Sequence, residues 1–502
     1  MNLPASVRTI HNGGTIYRAD IPLQREDDFC QTILDATDHG WRVASYFGVP
    51  EGDEVTLYCI LGYKQDGIIA VIRTRVRERF PSLASLCPQV QMFEREIWEQ
   101  CGVEPEGHPW LKPVRFAPSA GDGRERPVPG VMEYYRVEGD EVHEVAVGPV
   151  HAGIIEPGHF RFQCHGEKVF HLEISLGYQH RGIEAGLIGG PGPKTLCQVE
   201  AAAGDTTIGH GGAYCMVLEA LTGRRVPARG EALRGIALEL ERLANHTGDL
   251  GAIAGDVGYL PTASFCGRIR GDFLNMTALL CGSRFGRGLV RPGGVGFDCG
   301  DGQRDELLKR VEAARRDLTV AVDLLWSSPS VMARLEKTGA VSLKDAEEIG
   351  LVGPAMRACG GSRDIRKDYP FGIYRMKQIP AVTAATGDVY ARTLIRWLEA
   401  ERSLDFIEEL LRQLPGGKPR SDALASSPLA PDMLAVVLTE GWRGKICHVA
   451  ITDSANRFQR YKITDPSFNN WLGLALALRG QQISDFPLCN KSFNLSYCGF
   501  DL

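Results

Sequence analysis

Apolar and polar positions along the chain alternate between two periods. Asp27–His39 is helix-like. Thr56–Leu61 and Gly67–Arg75 are β-rich runs parted by Gly62–Asp66, which predicts a hairpin. In Phe93–Gly102, the residues Phe93, Ile97 and Cys101 stand at i, i+4 and i+8, one face of a further helix. The segment Ala117–Gly130 (APSAGDGRERPVPG) is rich in glycine, proline and charge and predicts a boundary. Residues 131–185 are strand-rich. From about Gly204 helical periods dominate, over Tyr214–Leu221, Gly230–Ala252, Phe265–Leu280, Asp305–Ser327 and Gly387–Leu414. The fold class predicted is therefore α+β. A compact α+β unit spans 1–120 and a linker 121–130; a unit over 131–502 begins β-rich and continues as a mainly helical bundle.

Composition narrows the classes of function. At 502 residues the chain is long enough for two or more sizeable cores. Its 44% hydrophobic and 24% charged residues are ordinary for a globular protein. A net charge of −6 offers no electrostatic case for nucleic acid, which is met by basic patches. The 14 cysteines are scattered singly and read as reduced, mostly buried thiols in a cytosolic compartment. The opening MNLPASVRTIHNGG lacks the apolar stretch of a secretory signal. No run of about 18 apolar residues is present. Membrane association is accordingly expected through partners only.

Candidate chemistry concentrates in Gly148–Glu184, GPVHAGIIEPGHFRFQCHGEKVFHLEISLGYQHRGIE. Gly148–Pro149 and Gly158 would punctuate a hairpin with His151, Glu156 and His159 near its tip, where His and Glu can relay protons. The bland reading is a set of turn residues that satisfy local backbone groups. The segment resembles the start of the large subunit of energy-converting nickel–iron hydrogenases and the related 49 kDa subunit of respiratory complex I. Upstream, Phe80–Leu83 and FEREIWEQCGVEPEGHPWLKP (Phe93–Pro113) resemble the 30 kDa subunit of complex I, so the chain looks like a 30 kDa/49 kDa fusion. Further segments match in order: Glu239–His246, Gly267–Asn275, Arg284–Val295, Gly350–Phe371, Gly387–Leu404, Trp442–Lys445 and Ile463–Trp471.

The resemblance also locates what this chain lacks. The hydrogenases hold nickel and iron with two Cys-x-x-Cys pairs, the soft thiolate ligands such metals need, and no Cys-x-x-Cys occurs here. Counting back from His210 in AAAGDTTIGHGGAY places Ala203 and Thr206 at the first pair; counting from Asp485 places Ser496 and Gly499 at the second. Cys197, Cys489 and Cys498 fall out of register, and isolated cysteines are commonly small buried hydrophobes. No metal-processing tail is then expected beyond Leu502. In the complex I version a loop histidine faces the quinone head group; its counterpart here is Ile155, while the aspartate that orients it is matched by Asp256.

The resemblance implies a cavity lined by some of His151, Glu156, His180, Arg181, His210 and Asp256. Glu156, His151, His210 and Asp256 are the expected proton-handling residues; His180, Arg181, Arg357 and Arg366 are expected near the cavity or a partner's cluster. Arg392, Arg396 and Glu399 lie at helical spacing and read as a solvated ion-paired face. RPGGV (Arg291–Val295) reads as a turn with positive φ at Gly293 or Gly294. The chain itself is expected to bind no metal. A small iron–sulfur subunit would carry a [4Fe–4S] cluster, and membrane anchor and antiporter-like subunits would hold the assembly on the cytoplasmic face. The function implied is NADH:quinone oxidoreductase-type electron transfer to a quinone-like or other small acceptor, coupled to ion translocation. The alternatives are a scaffold subunit without chemistry and, requiring a metal these positions cannot hold, an active hydrogenase of formate hydrogenlyase type.

Overall fold

A computed structural model describes residues 7–117, 127–151, 156–421 and 427–502. The first sheet is built from Arg8–His11, Ile68–Val76, Glu54–Tyr63 and Arg42–Glu51 in that order, with Leu23–Gln24 added parallel to Ile68–Val76. The predicted hairpin is present: Gly62 pairs with Ile69 and Tyr63 with Ile68 across the turn. The helix predicted at Asp27 runs over Glu26–Asp38 with three acids in its first turn, where they complement the positive end of the helix dipole. The next helix, Gln91–Cys101, ends where Gly102 takes a left-handed conformation (φ 72°) that favours glycine.

Val142–Val147, His159–His165 and Lys168–Ser175 form an antiparallel sheet. The long helices follow the predicted periods: Thr207–Thr222, Ala228–Asp256, Leu260–Cys281, Asp301–Trp326 and Val389–Arg412. The helix Ala228–Asp256 is central, packed against Leu260–Cys281 and Val389–Arg412. The turn at RPGGV is as predicted, with φ of 85° at Gly293 and 149° at Gly294.

One expectation is extended and one is corrected. The mainly helical second half also carries a sheet. Met433–Gly441, Gly444–Thr452 and Phe458–Thr464 make a sheet that is completed by Gly14–Tyr17 from the first sequence unit. Gly444–Thr452 is buried along its whole length, so it shows no in-out alternation to betray a strand. Arg392, Arg396 and Glu399, read as a solvated face, are buried. They meet the polar stripe of the central helix and the chain near its C-terminus: Arg396 pairs with Asp249, and Arg392 donates to Ser492 Oγ at 2.8 Å. The predicted linker falls largely on 118–126, outside the described residues.

Candidate functional site

The two segments that the resemblance sets against the hydrogenase metal loops converge. Arg181, just past the strand Lys168–Ser175, donates to the carbonyls of Ala201 (2.8 Å) and Ala202 (2.9 Å) beside the first segment, and to that of Cys498 (3.4 Å) in the second. Arg443 ties the same two segments from the other side, through Asp205 (2.6 Å) and the carbonyl of Asn494. A guanidinium fork can bond several oxygens at fixed angles, and two of them hold the loops together.

The four ligand positions inside this frame do not fit a nickel–iron centre. Ala203 and Gly499 have no donor atom. Thr206 and Ser496 offer hydroxyls, poor ligands for these metals, and Ser496 Oγ accepts the Gly499 N–H at 2.9 Å as the cap of the last short helix. A β-carbon at Gly499 would stand 2.8 Å from the Asp465 carboxyl carbon and 2.9 and 3.0 Å from its oxygens. Asp465 therefore occupies the space where a cysteine side chain would start. The three out-of-register cysteines have separate surroundings: Cys489 lies against Gly339, Cys498 beside Ser496 at 3.4 Å, and Cys197 is exposed. Among the described residues, no group of three or more His, Cys, Asp or Glu is placed to hold a metal.

Asp465 begins a buried polar chain instead. It caps the helix Pro466–Ala477, accepting the Ser467 N–H at 2.7 Å, with a proline at the first helical position. Its second oxygen lies 3.0 Å from His210 Nε2; His210 Nδ1 lies 3.1 Å from His448 Nε2, and His448 Nδ1 lies 2.9 Å from the Tyr461 hydroxyl. All four side chains are buried. Burial disfavours the Asp465 charge, but the His210 hydrogen bond and the charges of His210 and Arg443 outweigh it, holding the carboxyl below its ordinary value. Burial, then the charge of His210, push His448 well below the usual histidine range.

Two bonds of this chain, His210–His448 and His448–Tyr461, can run in either direction. In one, Tyr461 donates to His448, His448 to His210, and His210 to Asp465. With one more proton, His210 donates from both nitrogens and His448 changes tautomer to donate toward Tyr461. The chain can thus take up one proton beside a buried carboxylate.

Of the residues expected at a cavity, Glu156 and Arg181 meet at Cys498, whose N–H is donated to Glu156 Oε2 at 3.2 Å. His210 lies in the chain just described, and His180 is half-buried. His151 is exposed. Asp256 stands apart, at the C-terminal end of the central helix, and ion-pairs with Lys491 at 2.8 Å. Ile155 lies outside the described residues.

Arg357 and Arg366, expected to face the cavity or a partner, are buried and spent inside the chain. Arg357 binds Glu399 at 2.7 Å and Glu440 at 2.9 Å; Arg366 binds Asp364 at 2.6 Å and Glu239 at 3.1 Å. Arg242 and His246 complete this network through Glu239 and Glu399. Sequence reasoning passed over Asp465, His448 and Tyr461. Only Asp465 carried a local signal, the Asp-Pro-Ser of a helix start.

Two family models match the chain. That of the respiratory-chain NADH dehydrogenase 30 Kd subunit spans residues 23–121, and that of the 49 Kd subunit spans 256–430. The carbon monoxide-induced hydrogenase of Rhodospirillum rubrum is 31% identical over 355 residues, 70% of this chain and 97% of that protein. Formate hydrogenlyase subunit 5 of Escherichia coli (strain K12) is 30% identical over 444 residues, 84% of this chain and 76% of that one. NADH-quinone oxidoreductase subunit 4 of Thermus thermophilus is 28% identical over 369 residues, 69% of this chain and 90% of that one. A solved chain of the membrane-bound sulfane sulfur reductase, an archaeal respiratory membrane complex, superposes with a TM-score of 0.68 at 24% identity, covering 73% of this chain and all of that one. The chain therefore belongs to the fused 30 kDa/49 kDa-type family of oxidoreductase subunits shared by complex I and the energy-converting hydrogenases, and no Cys-x-x-Cys occurs in its sequence.

Proposed function

We propose that this chain is the large subunit of a membrane-bound, complex I-like oxidoreductase that works without nickel. Electrons would reach it from a [4Fe–4S] cluster in a small partner subunit, and membrane anchor and antiporter-like subunits would hold it on the inner face of the membrane. A quinone-like or other small carrier would accept two electrons, delivered singly, and two protons, and ion translocation would be coupled to that reduction. The carrying observation is that Arg181 and Arg443 still bind the two metal-loop segments together while Asp465 fills the ligand space at Gly499. A site kept in shape but emptied of ligands retains its position next to a partner cluster; the chain from Asp465 to Tyr461 supplies a route for protons. Relatives on this scaffold are named for hydrogen, quinone and sulfane sulfur, so the acceptor is decided by the site and not by the fold.

The burial of all four members of the chain supports a second reading, a coupling subunit that moves a proton in response to a partner's redox state and binds no acceptor. One experiment separates the readings: affinity purification of the complex from native membranes, a metal count, and electron transfer to a water-soluble quinone analogue. The expected result is iron and sulfide without stoichiometric nickel, and electron transfer that falls in Asp465→Asn while the complex stays assembled. One nickel per chain would sink the proposal. Full activity of an assembled Asp465→Asn complex would favour the second reading.

A further inference from the structure

We infer that the junction between the N-terminal sheet and the C-terminal sheet holds a binding site for a free tetrahedral oxyanion of sulfate or phosphate size. A cavity of about 60 Å³ lies there, walled by the start of Arg42–Glu51, the loops around Gly350 and Arg363, and the two strands Met433–Gly441 and Gly444–Thr452. A single water needs about 10–15 Å³ of such space, so the cavity suits roughly four waters or one such ion.

Three cations from three separate segments line it: Arg42, Arg363 and Lys445. Lys445 is buried, and its ammonium donates to the carbonyls of Val43 and Ala44, both at 3.2 Å. An ammonium has three N–H groups, which leaves one for the cavity. Arg42 is tethered on one side by Glu347, through its carbonyl and its carboxylate at 3.3 Å. Arg363 is half-buried, and its guanidinium has no hydrogen-bond or ion-pair partner among the described residues.

Two of the three acids of the same wall are already committed to arginines. Glu440 accepts from Arg357 and from the Ile365 N–H; Asp364 accepts from Arg366; Asp368 accepts the Asp364 N–H at 3.2 Å and is not within ion-pair distance of Arg363. Facing the cavity without an ion-pair partner among the described residues are then two cations, Arg363 and Lys445, and one acid, Asp368, which feels the charge of Arg363; the net uncommitted charge is positive. Its mutual repulsion is felt: burial first and then the charge of Arg363 bring Arg42 down to about 10. Burial brings Lys445 down to about 8, with Arg363 and Arg42 adding to it against the opposing influence of Cys447 and Glu440. An anion bonded to all three would relieve that repulsion and would join the two halves of the fold through Arg42 on one side and Arg363 and Lys445 on the other.

The test is isothermal titration of inorganic phosphate and of sulfate into the full-length chain, with chloride at matched ionic strength as the control. The expected result is saturable binding of the tetrahedral ions and none of chloride. Arg363→Gln should weaken binding by at least about tenfold. Arg316→Gln, on an exposed helix face paired with Glu312, should leave it unchanged. Because Arg363 is half-buried and unbonded, its replacement tests the site without unfolding the chain; Lys445→Met serves as a second variant. Absence of saturable binding up to about 10 mM, equal binding of chloride, or unchanged affinity in Arg363→Gln would overturn the inference.

Discussion

A β-carbon on Gly499 would stand 2.8 Å from the carboxyl carbon of Asp465, closer than such contacts occur in folded proteins. Asp465 cannot move away cheaply, since it caps one helix and holds His210 at 3.0 Å. Position 499 is therefore closed to every side chain, cysteine included. Gly499→Ala should destabilise the chain by about 1–3 kcal/mol, the usual cost of overpacking a filled site. Chemical denaturation measures it, and an unchanged midpoint would show that the Asp465 carboxylate yields more readily than its two roles imply.

The end of the buried chain offers a second check. Tyr461→Phe removes only an oxygen, and leaves His448 Nδ1 without the partner now 2.9 Å away. A buried acceptor left unsatisfied costs about 1–3 kcal/mol. In the assembled complex the same variant should slow proton-coupled turnover. Tyr214→Phe, whose ring lies near Tyr461 at 6.2 Å between centroids but outside the chain, should not. Equal rates in the two variants would remove Tyr461 from the proton route.

How much of this was legible in the sequence depends on how local each signal is. The long helices and the first hairpin announce themselves by period, and the RPGG turn by the φ that its glycines alone adopt readily. The count from His210 and from Asp485 singled out two distant segments, which the structure brings together through Arg181 and Arg443. The Asp465–His210–His448–Tyr461 chain was hidden because its partners lie up to 255 residues apart and meet only once helix and sheet pack. Arg392, Arg396 and Glu399 were misplaced for a different reason: i, i+4 spacing is the same whether a polar stripe faces water or another helix's charges. Gly444–Thr452 was missed because a strand buried on both faces has no alternation.

Glu241 ties stability to pH. Its carboxylate accepts the N–H groups of Ile208 (2.6 Å) and Gly209 (3.1 Å) at the start of the helix Thr207–Thr222. Burial pushes it from 4.5 up to about 8 despite those hydrogen bonds. The folded state then binds this proton more tightly than the unfolded state. Its contribution is complete below 4.5 and is lost as pH rises through 8. Glu241→Gln cannot lose a proton, so the stability of the native chain relative to this variant should decline across that window and level off outside it. Denaturation curves at about pH 5 and about pH 9 measure the difference; a constant difference would show that Glu241 does not change its charge on folding.

The buried network predicts an inequality between two glutamates. Four acids, Glu239, Asp364, Glu399 and Glu440, face three arginines, Arg242, Arg357 and Arg366. One carboxylate is in excess, and the environment selects which one yields. At Glu399 burial is outweighed by Arg357, His246 and Arg242, which hold the carboxyl well below its ordinary value. At Glu440 burial and the charge of Asp364 prevail over the same arginines, and the group is pushed up to about 7. Glu399→Gln therefore strips a full charge from Arg357 and Arg242, and breaking a buried pair in this way costs about 3–5 kcal/mol. Glu440→Gln replaces a group that is already partly protonated near pH 7, so its cost there should be clearly smaller, and smaller still at lower pH. Denaturation of both variants at neutral pH decides the matter: equal losses, or a larger loss for Glu440→Gln, would show that the excess proton of this network sits elsewhere.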